Sequence, residues 1–354
     1  MKLRRFVIAR VAACGLCGAL AASGAAGFAR AAQDKQDKPK DQKEQAPQVP
    51  EGELKAARAV ESAADAGAAL TAAGAFVKKY PKSKIRSQVA QIAASKVAAT
   101  TDAAQRATLV DAYLKAFASP EEADLIAPLR LDAYLAANRL DDAFALSSPW
   151  LAKRPEDVAS RTRLALIGIE QASRGNAKFA QQSQQYGAAA VAIIEAGKKP
   201  ADMDDATWAQ YRTTWLPHLY QSLGFLANKT GDKADARAKL EKAAALGITD
   251  PTTYALLGQM LDDEYQEAGK RVNAMPGGAA RDAAFKEAQA QMDKVIEYFA
   301  QAVALTEGKP QYEPVRAQVM PPLTSYYKYR RGSTDGLQEM IDKYKKPAAG
   351  TTPK

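Results

Sequence analysis

Residues 220–259 read YQSLGFLANKTGDKADARAKLEKAAALGITDPTTYALLGQ, and one short pattern occurs in them twice. The pattern is tyrosine, then leucine and glycine three and four residues later, at Tyr220, Leu223 and Gly224 and, 34 residues further on, at Tyr254, Leu257 and Gly258. Glycine inside a helix costs about 1 kcal/mol relative to alanine, so a close approach of a partner helix has to compensate for it. The stretch therefore predicts tandem helical hairpins, and in each hairpin the two helices are expected to approach most closely at the glycine.

The residues between the two copies extend the pattern. Ala236, Leu240 and Ala243 keep the three- and four-residue spacing of one helix face. The 34-residue spacing and the order of these residues resemble the tetratricopeptide repeat. The resemblance is firm over 217–261 and looser over 120–330. The segment 76–83 is similar to the divergent repeats of periplasmic tetratricopeptide proteins. The resemblance implies an all-α fold, a right-handed superhelical stack of antiparallel helical hairpins, with a concave groove that binds peptides or proteins and with no cofactor.

Aligning Gly224 and Gly258 with the glycine of the family implies which residues line that groove. They are His218, Gln221, Phe225, Asn228 and Lys229 in one unit and Gln259, Asp262 and Asp263 in the next. The set contains an aromatic ring, amides and side chains of both charges, which suits peptide recognition. The alternative is a solvent-exposed surface that binds no ligand. The lysine–asparagine pair with which some members hold a peptide carboxylate is not reproduced, which argues against a free C-terminus as the ligand.

Proline, glycine and capping residues divide the chain after residue 53 into about fourteen helices, paired as seven hairpins. Caps are predicted at Thr101-Asp102, Ser119, Asp204-Asp205, Asp250 and Ser333–Asp335. One hairpin is predicted to be longer than the rest, with helices over about 251–272 and 279–306 and a turn at Pro276-Gly277-Gly278.

The beginning of the chain is typical of a secretory signal peptide. Residues 1–10 are basic, residues 11–22 are small and apolar, and Ala29-Arg30-Ala31 fits a cleavage site. The apolar run is short of the roughly 20 residues that span a bilayer, so no transmembrane span is expected in the mature form. Export to the periplasm or cell surface of a bacterium is predicted, by the Sec route rather than through twin-arginine recognition of Arg4-Arg5, and with lipidation at Cys14 as the minority alternative.

Composition separates five segments. They are the signal peptide over 1–31, a disordered linker over 32–52, divergent helical hairpins over 53–119, tetratricopeptide-like repeats over 120–345, and a disordered tail over 346–354. The linker is expected to be disordered because it has balanced charges, several prolines and almost no apolar side chains.

Several chemistries lack the residues they need. Cys14 and Cys17 both lie in the signal peptide, and His218 is the only histidine, so thiol and zinc sites are not expected. Neither a dinucleotide fingerprint nor a phosphate loop is present. The formal net charge is +9, but five basic residues lie in 1–31, so the mature chain gives no strong case for nucleic acid. No catalytic, cofactor or metal site is predicted.

Two acidic clusters and one basic run remain. Asp202, Asp204 and Asp205 fit helix capping, and the residues of 262–264 point in different directions on one helix, so a solvated face is favoured for them. The run Tyr326–Arg331 fits packing under a terminal helix better than polyanion binding. The sequence therefore predicts an exported, non-catalytic scaffold or adaptor for a protein or peptide partner. A polyanion- or glycan-binding envelope protein and a carboxylate-based envelope enzyme are the alternatives.

Overall fold

The structure is a computed structural model that describes residues 49–345, and every regular element in that range is helical. Fourteen α-helices and two short 3₁₀ segments are found there, which confirms the all-α prediction and the expected number of helices. The predicted signal peptide, the linker up to residue 48 and the tail over 346–354 lie outside the described residues. The first helix begins at Glu51, so the last two residues of the predicted linker are helical.

The described residues divide into two compact units, 49–160 and 161–345, with the boundary inside one helix. The first unit contains α1 (Glu51–Glu61), α2 (Ala66–Lys79), α3 (Arg86–Ala98), α4 (Ala103–Ala116), α5 (Pro120–Ala136), α6 (Leu140–Ala152) and the start of α7 (Val158–Ser173). From α1 to α5 each helix contacts the next helix and the next but one. Its core combines buried alanines with larger side chains, such as Phe76, Tyr113 and Ile126.

The second unit contains the rest of α7 and seven further helices. These are α8 (Ala180–Glu195), α9 (Asp205–Thr230), α10 (Lys233–Ala245), α11 (Pro251–Ala274), α12 (Ala279–Thr306), α13 (Glu313–Arg331) and α14 (Leu337–Lys343). The 3₁₀ segments are Ala177–Phe179 and Pro310–Tyr312. From α8 to α12 each helix contacts its successor. In addition, α11 contacts α13, and α12 contacts α14.

Most of the predicted caps are confirmed. Asp102 accepts a hydrogen bond from the backbone N–H of Gln105 at 2.6 Å, and Asp204 accepts one from Thr207 at 2.7 Å. Ser119 and Asp250 act in the same way at the starts of α5 and α11, each before a proline at the first helical position. These side chains supply acceptors for N–H groups that the helix itself leaves unpaired.

One local prediction is wrong. Ser333–Asp335 does not cap α14, because the residue before that helix is Gly336 in a left-handed conformation with φ 80°, and Ser333 Oγ accepts from the N–H of Asp335 instead.

One proline lies in the interior of a helix. Pro217 is buried within the 26-residue α9. Proline removes one backbone donor, which a long helix packed on neighbouring helices tolerates more easily than an isolated one.

The two glycines of the repeated pattern lie where helices approach most closely. A Cβ atom built on Gly224 would lie 2.8 Å from Leu240 Cγ and 3.2 Å from the carbonyl oxygen of Ala236, both on α10. A Cβ atom on Gly258 would lie 2.4 Å from two ring carbons of Phe299 on α12. The prediction that each glycine removes a side chain at a tight helix contact is confirmed.

The long hairpin also forms as predicted. It consists of α11 and α12 joined by residues 275–278. Neighbouring helices hold it at Glu264, which pairs with Arg237 of α10, and at Asp293, which pairs with Arg330 of α13. Among residues 267–290 only Ala268, Val272 and Ala288 are buried, so the distal part of the hairpin contains little core.

Candidate functional site

The predicted site residues lie on two neighbouring helices, α9 and α11. Phe225 of α9 and Leu256 of α11 are both half-buried, and both pack against one cluster that we call the α9–α11 cluster. This cluster consists of Ala227, Ala236, Leu240, Leu257 and Met260. Because Phe225 rests on these core residues, its ring is a structural element as well as a candidate contact for a ligand.

Gln221 is an interior link rather than an open contact. Its side chain is 6% exposed, and its amide nitrogen donates to Asp250 Oδ2 at 2.8 Å and to Thr253 Oγ1 at 2.9 Å. Asp250 also caps α11, so one buried amide joins the middle of α9 to the start of α11. Both amide hydrogens are thereby used inside the protein.

Lys229 is also held by the protein itself. Its ammonium group donates to the carbonyl oxygens of Ala172 and Ser173, at 2.6 and 3.1 Å, at the C-terminal end of α7. The last carbonyls of a helix lack backbone partners and form its negative end, which attracts a cation. Asn228 accepts a hydrogen bond from Lys233 at 3.2 Å. The positive charge expected on this surface is thus already engaged.

His218 belongs to a row of rings along α9. Trp208 and Tyr211 stack with centroids 5.8 Å apart, Tyr211 and Trp215 lie 6.3 Å apart, and Trp215 and His218 also lie 6.3 Å apart. The first two rings are buried, whereas Trp215 and His218 are half-buried. Trp215, His218 and Phe225 therefore share one partly open helix face.

On α11 the predicted residues separate. Asp263 accepts a hydrogen bond from the Gln259 amide at 3.3 Å, and this pair lies one and two turns beyond Leu256. Asp262 faces α13 instead and accepts from the Tyr326 hydroxyl and, at 3.2 Å, from Gln266. Glu264 pairs with Arg237 at 2.8 Å. The prediction that the acidic residues 262–264 point in different directions is confirmed.

We call the partly open surface the α9–α11 face and define it by Trp215, His218 and Phe225 on α9 and Leu256, Gln259 and Asp263 on α11. It keeps four of the eight predicted residues and excludes Gln221, Asn228, Lys229 and Asp262, whose side chains are used inside the protein. Sequence reasoning missed Trp215 and Leu256 as members of the face. Trp215 lies three residues before His218 and Leu256 three residues before Gln259, and this helical spacing is the signal that would have identified them.

The basic aromatic run at the end of α13 is largely engaged in packing. Tyr327 is buried and donates to the carbonyl oxygen of Asp335, and Arg330 binds both oxygens of Asp293, at 2.9 and 2.7 Å. The Asp293 carboxylate raises the pKa of Arg330 above its usual value. Lys328, Tyr329 and Arg331 are exposed.

One polar cluster resembles catalytic machinery more than the others. Tyr220 donates to Glu195, and Lys242 donates to the Tyr220 hydroxyl at 3.1 Å. Burial raises the pKa of Tyr220, and the hydrogen bond to Tyr220 raises the pKa of Lys242. A lysine that serves as a nucleophile or general base needs a lowered pKa. The cluster is therefore suited to joining α8, α9 and α10 and not to base catalysis.

Residues 49–345 contain neither a cluster of potential metal ligands nor a helix that could span a membrane. No set of three or more histidine, cysteine, aspartate and glutamate side chains is placed there to hold a metal ion. Over the same residues, none of the helices combines the length and apolar character needed to cross a membrane.

Comparison with known proteins adds no identification. No protein-family model matches the chain, and no curated protein is significantly similar to it. The resemblance to tetratricopeptide repeats therefore rests on the residues of this chain alone.

Proposed function

We propose that this chain is an exported, non-catalytic scaffold or adaptor that binds a segment of another protein on the α9–α11 face. The observation that carries the proposal is the composition of that face. Half-buried rings of Trp215, His218 and Phe225 form the α9 side of the face, and the polar groups of Gln259 and Asp263 belong to its α11 side. Aromatic residues dominate the energetic centres of protein interfaces, and amide and carboxylate groups give such sites their orientation.

The proposal includes a tetratricopeptide-like architecture, a right-handed superhelical stack of hairpins. Sequential helix contacts within each unit and the tight contacts at Gly224 and Gly258 support it. Repeat arrays of this kind usually use the surface formed by successive first helices as the binding surface. Export through the sequence at 1–31 would place the partner in the periplasm or at the cell surface.

The best test is site-specific photocrosslinking in intact cells. A photoreactive amino acid at His218 is expected to yield a crosslinked partner, because the His218 side chain is only half-buried and belongs to the open face of α9. The matched control is the same amino acid at Ala238, an exposed position on α10. Equal yields at both positions, or none at either, would contradict the proposed surface.

Mutagenesis separates binding from folding. His218→Ala combined with Gln259→Ala removes two groups of the α9–α11 face without touching the α9–α11 cluster. The crosslink formed from Ser222, a half-buried position one helical turn after His218 on α9, should weaken while the melting temperature stays within a few degrees of the wild type. Phe225→Ala is less informative, because it also removes packing from that cluster.

A further inference from the structure

Two tyrosines meet where α13 packs against α11, and a third lies one helical turn further along α13. Tyr265 of α11 and Tyr326 of α13 lie with their ring centroids 5.8 Å apart and their planes at 83°, so the two rings form a corner. Tyr329, one helical turn beyond Tyr326, is 64% exposed, the highest value among the exposed large apolar side chains of the described residues. We call these three residues the tyrosine corner.

Carboxylate charge lies next to the corner. Asp262 accepts hydrogen bonds from the hydroxyl of Tyr326 and from the amide of Gln266. Both donors are neutral. Asp262 forms no ion pair within residues 49–345, although Glu264, two residues further on, is paired with Arg237. No cationic group of that part of the chain is therefore bound to the carboxylate beside the tyrosine corner.

The corner also differs from other tyrosines of this protein. Five tyrosine rings carry a lysine or arginine from the chain over their faces, with the charge 4.4 to 5.8 Å from the centroid. They are Tyr80, Tyr134, Tyr220, Tyr312 and Tyr344. No such cation covers Tyr265, Tyr326 or Tyr329 within the described residues. Arg330 directly follows Tyr329, yet its guanidinium group is bound to Asp293 at 2.7 Å.

We propose that the tyrosine corner binds a soluble quaternary ammonium compound, with choline as the simplest member of the class. Ring faces attract a cation through the aromatic quadrupole, and rings set at right angles touch a trimethylammonium group from two sides. A trimethylammonium group donates no hydrogen bonds and so needs no free acceptor. This suits the corner, because Asp262 Oδ1 already accepts two hydrogen bonds. The Asp262 carboxylate supplies the opposite charge. This site goes beyond the proposed scaffold function and does not depend on it.

Calorimetric titration with two probes of nearly equal shape tests the charge requirement. Choline chloride is expected to bind the full chain at one site. Its neutral carbon analogue 3,3-dimethylbutan-1-ol is expected to give no saturable signal, because it lacks the positive charge. Equal binding of the two probes would show an apolar pocket and overturn the proposal, as would the absence of choline binding.

Three variants test the position of the site. Tyr329→Ala is expected to weaken choline binding by at least about two- to fivefold, the usual contribution of one exposed cation–ring contact. Tyr329→Phe keeps the ring face and should retain the affinity. Asp262→Asn removes the charge but keeps an acceptor oxygen, and it should weaken binding too. Phe285→Ala, at another exposed ring 45% accessible on α12, is the matched control and should change nothing.

The variants also define the outcomes against the proposal. Unchanged choline binding in Tyr329→Ala, with circular dichroism like the wild type, would place the site elsewhere. Binding to phosphatidylcholine vesicles without binding of free choline would indicate a membrane surface instead of a soluble ligand and would overturn the proposal. Because Tyr329 is mostly exposed, its replacement is not expected to disturb folding. Asp262→Asn is a second, independent test of where choline binds.

Discussion

At the scale of single residues, Gly258 carries the sharpest stability prediction. Alanine is the better helix former by about 1 kcal/mol, yet its Cβ atom would lie 2.4 Å from the ring of Phe299. Overpacking of this kind typically costs about 1–3 kcal/mol. We expect Gly258→Ala to lower the free energy of unfolding by that amount, measured by urea denaturation.

The same helix provides the control. Gly269 also lies inside α11, but a Cβ atom there would meet nothing within 4 Å. Gly269→Ala should therefore raise the free energy of unfolding by about 0.5–1 kcal/mol. If the two variants changed stability in the same direction, the contact at Phe299 would not be the reason for Gly258.

A buried ion pair in the first unit gives a pH prediction. Glu122 is 6% exposed and binds Arg86 at 2.5 Å, which joins α3 to the start of α5. The hydrogen bond from Arg86 lowers the pKa of Glu122 in the folded protein. The pair therefore stabilises the fold above the pKa of an unfolded glutamate, about 4.3, and this contribution is lost as the pH falls through the lower folded pKa.

The experiment compares Glu122→Gln with the wild type. At pH 7 the variant should unfold about 1–3 kcal/mol more easily, and the difference should shrink towards pH 3. Glu121→Gln, at the exposed neighbouring position, should stay within about 0.5 kcal/mol of the wild type at both pH values. A difference for Glu122→Gln that stayed constant with pH would show that charge is not involved.

Individual residues also show which contacts can be predicted from the sequence and which cannot. Gly224 and Gly258 were predictable, because they recur at the repeat spacing and a close helix contact compensates for the cost of a glycine in a helix. The engagement of Gln221 and Lys229 was not, because it depends on Asp250 and on the end of α7, which helical spacing does not locate. The tyrosine corner was missed for the same reason, since Tyr265 and Tyr326 come from separate helices.

At the scale of elements, the long hairpin predicts a site of early proteolysis. Neighbouring helices hold α11 up to Gln266, whose amide donates to Tyr326, and the helix continues to Ala274. Eight further residues extend it by about 12 Å at 1.5 Å per residue. Trypsin should cut first after Lys270, Arg271 or Arg281, because local opening there disrupts few buried contacts.

A control hairpin lies in the same unit. The turn between α9 and α10 is as exposed as the long hairpin, and Lys229 and Lys233 flank it. Both lysines are hydrogen-bonded, and tight packing at Gly224 holds the two helices together. Mass spectrometry of the first fragments should find cleavage at the long hairpin before this turn. The reverse order would contradict the view that the distal hairpin is the less stable element.

Element boundaries were the most predictable feature, and the reason is local chemistry. Ser119 and Asp250 each precede a proline and cap a helix, and Gly231 ends α9 in a left-handed conformation with φ 93°. These signals act within a few residues. Pro217 shows the limit, since tertiary packing keeps α9 continuous across a residue that locally favours a break.

At the scale of the whole molecule, the second unit is expected to fold by itself. A fragment that starts at Asp157 keeps α7 intact together with its cap, the bond from the Ser160 N–H to Asp157 Oδ1 at 2.9 Å. Far-ultraviolet circular dichroism of 157–345 should show a helical protein with a cooperative thermal transition. A fragment starting at Lys233, which removes α9 from its contact with α10, should have a lower melting temperature or none. An unfolded 157–345 would show that its core depends on residues before it.

The contact between Gly258 and Phe299 has a consequence for how this sequence can change in evolution. A side chain at position 258 fits only if the ring at 299 is replaced by a smaller side chain. A side chain at position 224 would likewise clash with Leu240. Either change alone leaves a clash or a void, so the intermediate is disfavoured by selection. In a lineage descended from this chain, positions 258 and 299 should therefore be inherited as a pair, and they should change together or not at all.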